Sequence, residues 1–497
     1  MKNFFCVRYF KTLFFVNLCY IMNITKFKME EFWRFLMDRI DLLKNRRSKL
    51  LEAGSDIRAK IAEIIDDESF VELSAYSFSK NEFYGEDAEG EGVVTGFATI
   101  DGNPCYVVAQ NGKVLSGGVS KANCEKICKT VISAANNSTP VLYILDTKGV
   151  QIGEGVAVLE GIADVLYEMN ELRGAVPQFA LVDGDCFGAF SLIAAACDFT
   201  FYTKNACVAH ASPAVIAATS KLPKTKEEVG GVASVAKTGV ADFVVESLGE
   251  VKSKIADILS VLPTVGYMVS DTDDDLNRTA PNLNEKVCAT CLKTAVFDEG
   301  TFIELGAGYV PEVICGIGRV GGVSVGAVIF DGGEEGVELT PAIVDKINSF
   351  VNLVADFELP LVNFVNTKGI AKDYAVAQST ILKDVSNLIY NLKDLTKISV
   401  IYGKAVGLGY SVFAAKAMAY DYSYAFCNSK VSLFDTEEGA YVEFGDIRAE
   451  NEQAWTDKYA DENQDPVNTA KGGYIDNIIE PQFVRQYLIA SLQMLVR

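Results

Sequence analysis

The stretch 140-PVLYILDTKGV-150 returns later in the chain as 360-PLVNFVNTKGI-370, displaced by 220 residues. Each is an apolar run closed by Thr-Lys-Gly, which reads as a buried strand ending in a turn. The same displacement of 220 brings 94-VTGFATIDG-102 onto 314-ICGIGRVGG-322, Lys126-Ile127 onto Lys346-Ile347, and 188-GAFS-191 onto 408-LGYS-411. Further out, 66-DDESFVEL-73 resembles 298-DEGTFIEL-305, and 239-GVADFVV-245 resembles 473-GYIDNII-479. A constant displacement held over about a hundred residues marks two copies of one unit. Each copy is far longer than a solenoid repeat, so each reads as a globular domain.

The segment 262-LPTVGYMVSDTDDDLNRTAPNLNE-285 is acidic, contains two prolines and lacks an apolar period, so it reads as the linker. The expected division is 29–265 and 266–497. Within each copy, strand-like runs alternate with helix-like stretches such as 121-KANCEKICKTVISAANN-137. That alternation predicts βαβ units and an α/β fold. An Asp101-Gly102 turn between apolar runs predicts a hairpin at the start of the first copy.

The chain has 497 residues and a formal net charge of −21, which repels a polyanion and argues against nucleic acid as a partner. An anionic ligand would need locally placed cations or backbone N–H groups. The 12 cysteines are scattered among apolar segments and read as small buried hydrophobes in a reducing cytosol. The one CxxC, Cys288 to Cys291, has no second pair and a single histidine, His210, in the whole chain. It is expected to be two ordinary helix cysteines rather than a zinc site. Residues 1–28 hold 12-TLFFVNLCYIM-22, a run too short to span a bilayer. It carries no small-residue cleavage site and is expected to be an extension or mis-start ahead of an amphipathic helix over 30–54.

Two glycine-bearing loops follow buried strands in each copy: 146-DTKGVQIGEG-155 and 183-DGDCFGAFS-191, then 366-NTKGI-370 and 403-GKAVGLGYS-411. A strand end followed by glycine and a helix presents unpaired N–H groups at a positive helix terminus. Such groups hold a phosphate or a developing oxyanion. No GxxxxGK[ST] stretch and no nucleophile elbow is present. His210 and Ser212 lack an orienting acid, so His210 is expected to be structural rather than part of a hydrolase triad. Chemistry here would rely on backbone donors or on a base brought by substrate or cofactor.

Several stretches resemble the carboxyltransferase subunits of biotin-dependent acetyl-CoA and propionyl-CoA carboxylases. They are 92-GVVTGFATIDGNPCYVVAQ-110, 117-GGVSKANCEKICK-129, 145-LDTKGVQIGEGV-156, 227-EEVGGVASVAKTGVADFVVES-247 and 466-PVNTAKGGYIDNIIEPQFVRQYLIASL-492. The resemblance implies two tandem crotonase-like (ClpP-like) domains. It implies that an acyl-CoA lies on the first domain and that biotin, carried by a separate protein, enters over the second, with no metal. In that family carboxybiotin releases CO2, the biotin anion takes the α-proton of the thioester, and the enolate attacks CO2. Carried over by position, the thioester oxyanion donors are Gly188 and Ala189, with Lys148, Gly149 and Val150 beside the acyl-CoA. The biotin-side donors are Leu408 and Gly409, with the loop at Gly369 and Ile370. The implied partners are a biotin carboxyl carrier protein and a biotin carboxylase, or the membrane subunits of a decarboxylase. A homodimer or hexamer and a cytoplasmic location are also implied.

The chain departs from that family at these loops. Lys148 replaces a glycine, Gln151 an arginine, Ala189 a glycine, and Lys368-Gly369-Ile370 a Pro-Gly-Phe. Leu408 stands in a glycine pattern; were positive φ required there, it would cost about 1–2 kcal/mol or shift the loop. Lys148 and Lys368 are candidate anion contacts. Two function classes follow: a working transferase, in a carboxylase or a decarboxylase, and a non-catalytic paralogue that assembles with an active partner. The chain has no biotin-bearing Met-Lys-Met and no ATP-binding loop, so biotin would be carboxylated on another chain.

Overall fold

A computed structural model describes Arg34 and residues 37–77, 88–262, 269–445 and 451–496. Residues 1–28 and the 265/266 division lie outside the described residues. Of the helix expected over 30–54, residues 37–53 are helical.

Two similar sheets are built in the same order. In the first, Val71–Leu73, Val93–Ile100 and Asn103–Gln110 run antiparallel and lead into the parallel strands Val141–Thr147, Gln178–Phe187, Phe199–Thr203 and Phe243–Val245. In the second, Ile303–Leu305, Val313–Val320 and Val323–Phe330 lead into Leu361–Ile370, Lys397–Val406, Tyr422–Phe426 and Asn477–Ile479. The central parallel strands are buried nearly end to end. That is why they read as continuous apolar runs rather than alternating ones.

The residues that repeat in the sequence are joints of this frame. The Asp101-Gly102 turn has φ of 50° and 78°, the left-handed pair that a tight hairpin needs. Its N–H groups donate to the Asp66 carboxylate at 3.0 and 2.9 Å. In the second copy Gly321 and Gly322 donate to Asp298 at 2.8 Å each. The aligned lysines are buried staples. Lys126 Nζ donates to the carbonyls of Gly90 and Val93 at 2.7 and 2.8 Å. Lys346 Nζ donates to those of Gly306, Tyr309 and Val310. Burial lowers both amines, Lys126 to about 8.

One apolar core runs through both copies. It joins Ile57, Phe199 and Ile255 of the first to Leu305, Val344 and Phe350 of the second. Phe199 stacks on Phe357 at 6.4 Å, and Arg173 pairs with Asp356 at 2.6 Å. Each copy also keeps a core of its own.

The acidic stretch expected as a linker is held against the fold where it is described. Asp274 accepts from Arg278 and lies 3.3 Å from the buried Arg485, Ser270 N–H donates to Gly322, and Leu283 is buried. One of its acids, Asp274, meets two cations, which composition does not reveal. Cys288 and Cys291 are not ordinary helix cysteines. Cys288 is the N-cap of Ala289–Val296, and the two sulfurs are bonded. The cap geometry turns the side chains at this spacing towards each other.

Candidate active site at the strand ends

In each copy two elements meet at the carboxyl ends of the parallel strands, where open α/β sheets place their ligands. One is the loop after the first long parallel strand. Thr147 Oγ donates to the Gly117 carbonyl at 2.7 Å and accepts from Gly149 N–H at 3.2 Å. Thr367 does the same in the second copy, to Val337 at 2.7 Å and from Gly369 at 3.1 Å. The Thr-Lys-Gly repeat is thus a loop brace. Gln151, in place of an arginine, donates to the Leu115 carbonyl at 2.9 Å and so closes the same loop.

The other element is the N-terminus of the helix after the next strand, and here the displacement of 220 fails. Val141 pairs with Gln178, whereas Leu361 pairs with Lys397, so the second copy is one residue shorter between these strands. From these strands to the helix that follows them the displacement is 219. Gly188 caps Ala189–Ala196 with φ 72° and ψ −142°; Gly407 caps Leu408–Phe413 with φ 53° and ψ −128°. Leu408 therefore stands where Ala189 stands, and the pairing of Leu408 with Gly188 is corrected. The left-handed conformation falls on Gly407, so Leu408 carries no such strain. Gly409 is buried against Thr367 and Gly369 instead of standing at the mouth.

The N–H of Gly188 is already engaged, donating to the Ala209 carbonyl at 3.0 Å, and that of Gly407 donates to Ser432 at 3.0 Å. The first open N–H groups are those of Ala189 and Leu408, which a helix leaves unpaired at its first position.

The surroundings of the two termini differ. A side chain added at Gly149 or Gly188 would meet nothing within 4 Å, so the first terminus borders open ground. At the second, a Cβ on Gly369 would sit 2.9 Å from the Val406 carbonyl, so this loop is closed onto the helix. A cavity of about 420 Å³ opens beside it, lined by Gly407, Leu408, Tyr410, Leu433 and Tyr474 among others. Leu408 is 53% exposed. Val150 and Ile370 are half-buried at matching places, each in a short parallel pairing with Val119 and Leu339.

Of the two loop lysines, Lys148 is exposed and makes no ion pair among the described residues. Lys368 is already bound, 2.9 Å from Glu335 and 3.8 Å from Asp435, with Lys404 at 3.1 Å from the same Asp435. The Glu335 contact raises the Lys368 amine. That leaves Lys368 a member of an ion cluster rather than an open anion contact.

Half-buried carboxyls at the other end of the first sheet escaped the sequence reading. Burial pushes Asp198 up to about 7 and Asp242 to about 6, and both line a cavity of about 450 Å³ between the copies. Perturbed acids in a cavity are active-site candidates, but the repeat identifies these as fold devices. Asp198 accepts from Gln178 N–H at 2.8 Å, and Asp421 accepts from Lys397 N–H at 2.9 Å. Asp242 accepts from Thr200 N–H at 2.8 Å, and Asp476 from Ser423 N–H at 2.7 Å. His210 is exposed just beyond Cys207–Ala209. Among the described residues no cluster of His, Cys, Asp or Glu is placed to hold a metal ion, and no helix is long and apolar enough to cross a membrane.

Residues 52–497 match the family described as the carboxyl transferase domain. The chain is 28% identical over 499 residues to the propionyl-CoA carboxylase carboxyltransferase subunit of Haloferax mediterranei, covering 92% of this chain and 96% of that one. It is 28% identical over 491 residues to the methylmalonyl-CoA decarboxylase subunit alpha of Veillonella parvula, covering 93% and 96%. The solved structure of the transcarboxylase 12S hexamer with methylmalonyl-CoA bound superposes with a TM-score of 0.84 at 26% identity, over 92% of this chain and 96% of that one.

Proposed function

The chain belongs to the carboxyl transferase family, and from that premise we propose that it transfers a carboxyl group between carboxybiotin and the α-carbon of a short acyl-CoA thioester. The observation that carries this reading is the recurrence of one device in both copies. A glycine-capped helix presents its first open N–H beside a threonine-braced loop. The Ala189 N–H holds the thioester oxygen as it gains charge, and the open ground at Gly149, Val150 and Gly188 admits the acyl-CoA. Lys148, the unpaired cation there, meets an anionic group of that ligand.

The second copy fits a biotin group, because its cavity combines the Leu408 N–H with Tyr410, Leu433 and Tyr474. An apolar bicycle with a polar ureido oxygen calls for that mixture. Biotin, borne by a separate carrier protein, supplies the carboxyl group and the base; Gly369 and Ile370 shape the floor beneath it. A biotin carboxylase, or decarboxylase subunits in a membrane, would load or unload the carrier, and the resemblance to a decarboxylase subunit supports either direction. Apolar side chains stand exposed near both loops, Ile152 at 90% and Tyr374 at 87%. Faces of this kind support a homo-oligomer in which one copy meets the other across subunits. Six buried free thiols favour a reducing cytoplasm, with the Cys288–Cys291 bond as the exception.

The test is carboxyl exchange between free biotin and malonyl-CoA or methylmalonyl-CoA, with light scattering on the same sample. Turnover by an oligomer is expected. An intact oligomer with no exchange on any short acyl-CoA would sink the transferase reading and leave the non-catalytic paralogue.

A further inference from the structure

The strand that ends in each glycine-bearing loop pairs with its parallel neighbour through the same irregularity. Leu145 faces Val182 and Thr147 faces Cys186, so residues 183–185 bulge. Val365 faces Ile401 and Thr367 faces Ala405, so residues 402–404 bulge. The residue passed over on the shorter strand fills the hollow: Asp146 in the first copy, Asn366 in the second. A Cβ on Gly184 would stand 2.6 Å from Asp146 Oδ1, and one on Gly403 would collide with Asn366 Oδ1. Only glycine leaves room for the plug in either bulge.

Each plug presents an oxygen to the bulge beside it. In the first copy the Asp146 carboxylate lies against Gly184, and the Asp185 N–H beside it favours its charged form. The Lys404 N–H donates to Asn366 Oδ1 at 2.9 Å, and Asn366 Nδ2 donates to the Gly333 carbonyl at 2.6 Å. Asp185 and Lys404 lie three positions before the capping glycines, Gly188 and Gly407. A bulge re-aims the chain that leaves it, and what leaves these two is the helix N-terminus with its open N–H.

We propose that Asp146 and Asn366 are positioning residues, each fixing the bulge that aims the helix N–H groups of its own copy, and so each governing one half of the transfer. The inference rests on the carboxyltransferase reading for its functional consequence, but its structural part stands apart from it. The acceptor oxygen is the shared feature, since an amide fills in the second copy the place a carboxyl fills in the first. Burial raises the Asp146 carboxyl, which fits a site that does not require the negative charge.

The test is amide hydrogen exchange on the full chain, read by peptide. Asp146→Ala is expected to speed exchange about tenfold or more over 183–192 and leave 402–411 unchanged; Asn366→Ala is expected to do the reverse. Asp146→Asn should keep wild-type protection. In the exchange assay, a displaced loop costs on the order of a hundredfold. Asp146→Ala should raise KM for malonyl-CoA and leave that for free biotin unchanged, and Asn366→Ala the opposite. Equal opening of both segments by either variant overturns the proposal, as does Asp146→Asn behaving like Asp146→Ala. If Asp146→Ala loses protection everywhere, Asp146→Asn alone decides, by retaining or losing protection over 183–192. A wild-type chain without any carboxyl exchange defeats the transferase reading, while the peptide map still rules on the positioning role.

Discussion

Replacing Ala189 by proline removes one N–H and very little else. Ala189 is the first residue of its helix, a position where proline's fixed φ suits the helix and where the missing N–H has no partner within it. The neighbouring Gly188 borders open ground, so the ring has room. The expected change in stability is therefore small. The change in rate is not: one preorganised donor to a developing oxyanion is worth about 3 kcal/mol, or roughly 10²–10³-fold in kcat. The assay is carboxyl exchange between free biotin and malonyl-CoA, with the melting temperature measured beside it. Ala189→Ser keeps the N–H and should hold most of the rate. Leu408→Pro is the matching change in the second copy, at the first position after Gly407. An Ala189→Pro protein that melts like the parent and still turns over within about threefold of it would show that this N–H does not stabilise the transition state, and the donor assignment would fall.

Gly369→Ala should lower the urea midpoint more than Gly149→Ala. Both residues have left-handed φ, 85° and 121°, which strains any other residue by about 1–2 kcal/mol. Only at Gly369 would the new Cβ also press on the Val406 carbonyl, at 2.9 Å. Lys126→Met leaves the Gly90 and Val93 carbonyls without their buried donor and should destabilise by about 1–3 kcal/mol in chemical denaturation. Asp198 makes stability depend on pH. Burial, only partly opposed by the Gln178 N–H, raises its carboxyl from 3.8 to about 7. The folded chain then holds a proton that the unfolded chain has lost, so this group's stabilisation is complete below about 3.8 and fades as pH rises through about 7. Asp198→Asn keeps the acceptor for Gln178 and should flatten the stability profile across that window; an unchanged slope would count against the assignment.

The repeat was legible because it consists of joints. Thr147 and Thr367 brace loops, Lys126 and Lys346 staple carbonyls, and Asp66 and Asp298 hold hairpin turns. Each of these needs one residue type at one place, so the letters recur even where the rest has drifted. The site was legible only to the nearest residue. The two copies differ by one residue between paired strands, and Ser191 and Ser411 kept the displacement of 220 looking continuous where the strands had already moved to 219.

The sequence by itself determined that two α/β copies follow one another, where their strands end, and that glycine-bearing loops recur there, because apolar runs, turn residues and caps are local properties of the chain. Which N–H groups are open was decided only by the tertiary structure. Gly188 loses its donor to Ala209 and Gly407 to Ser432, carbonyls about twenty or more residues away on a neighbouring strand, and the next residue in each case inherits the role. The same holds for Lys368, bound by Glu335 and Asp435, and for the core that joins the copies. A hydrogen bond or ion pair between distant segments depends on distances that no local pattern carries.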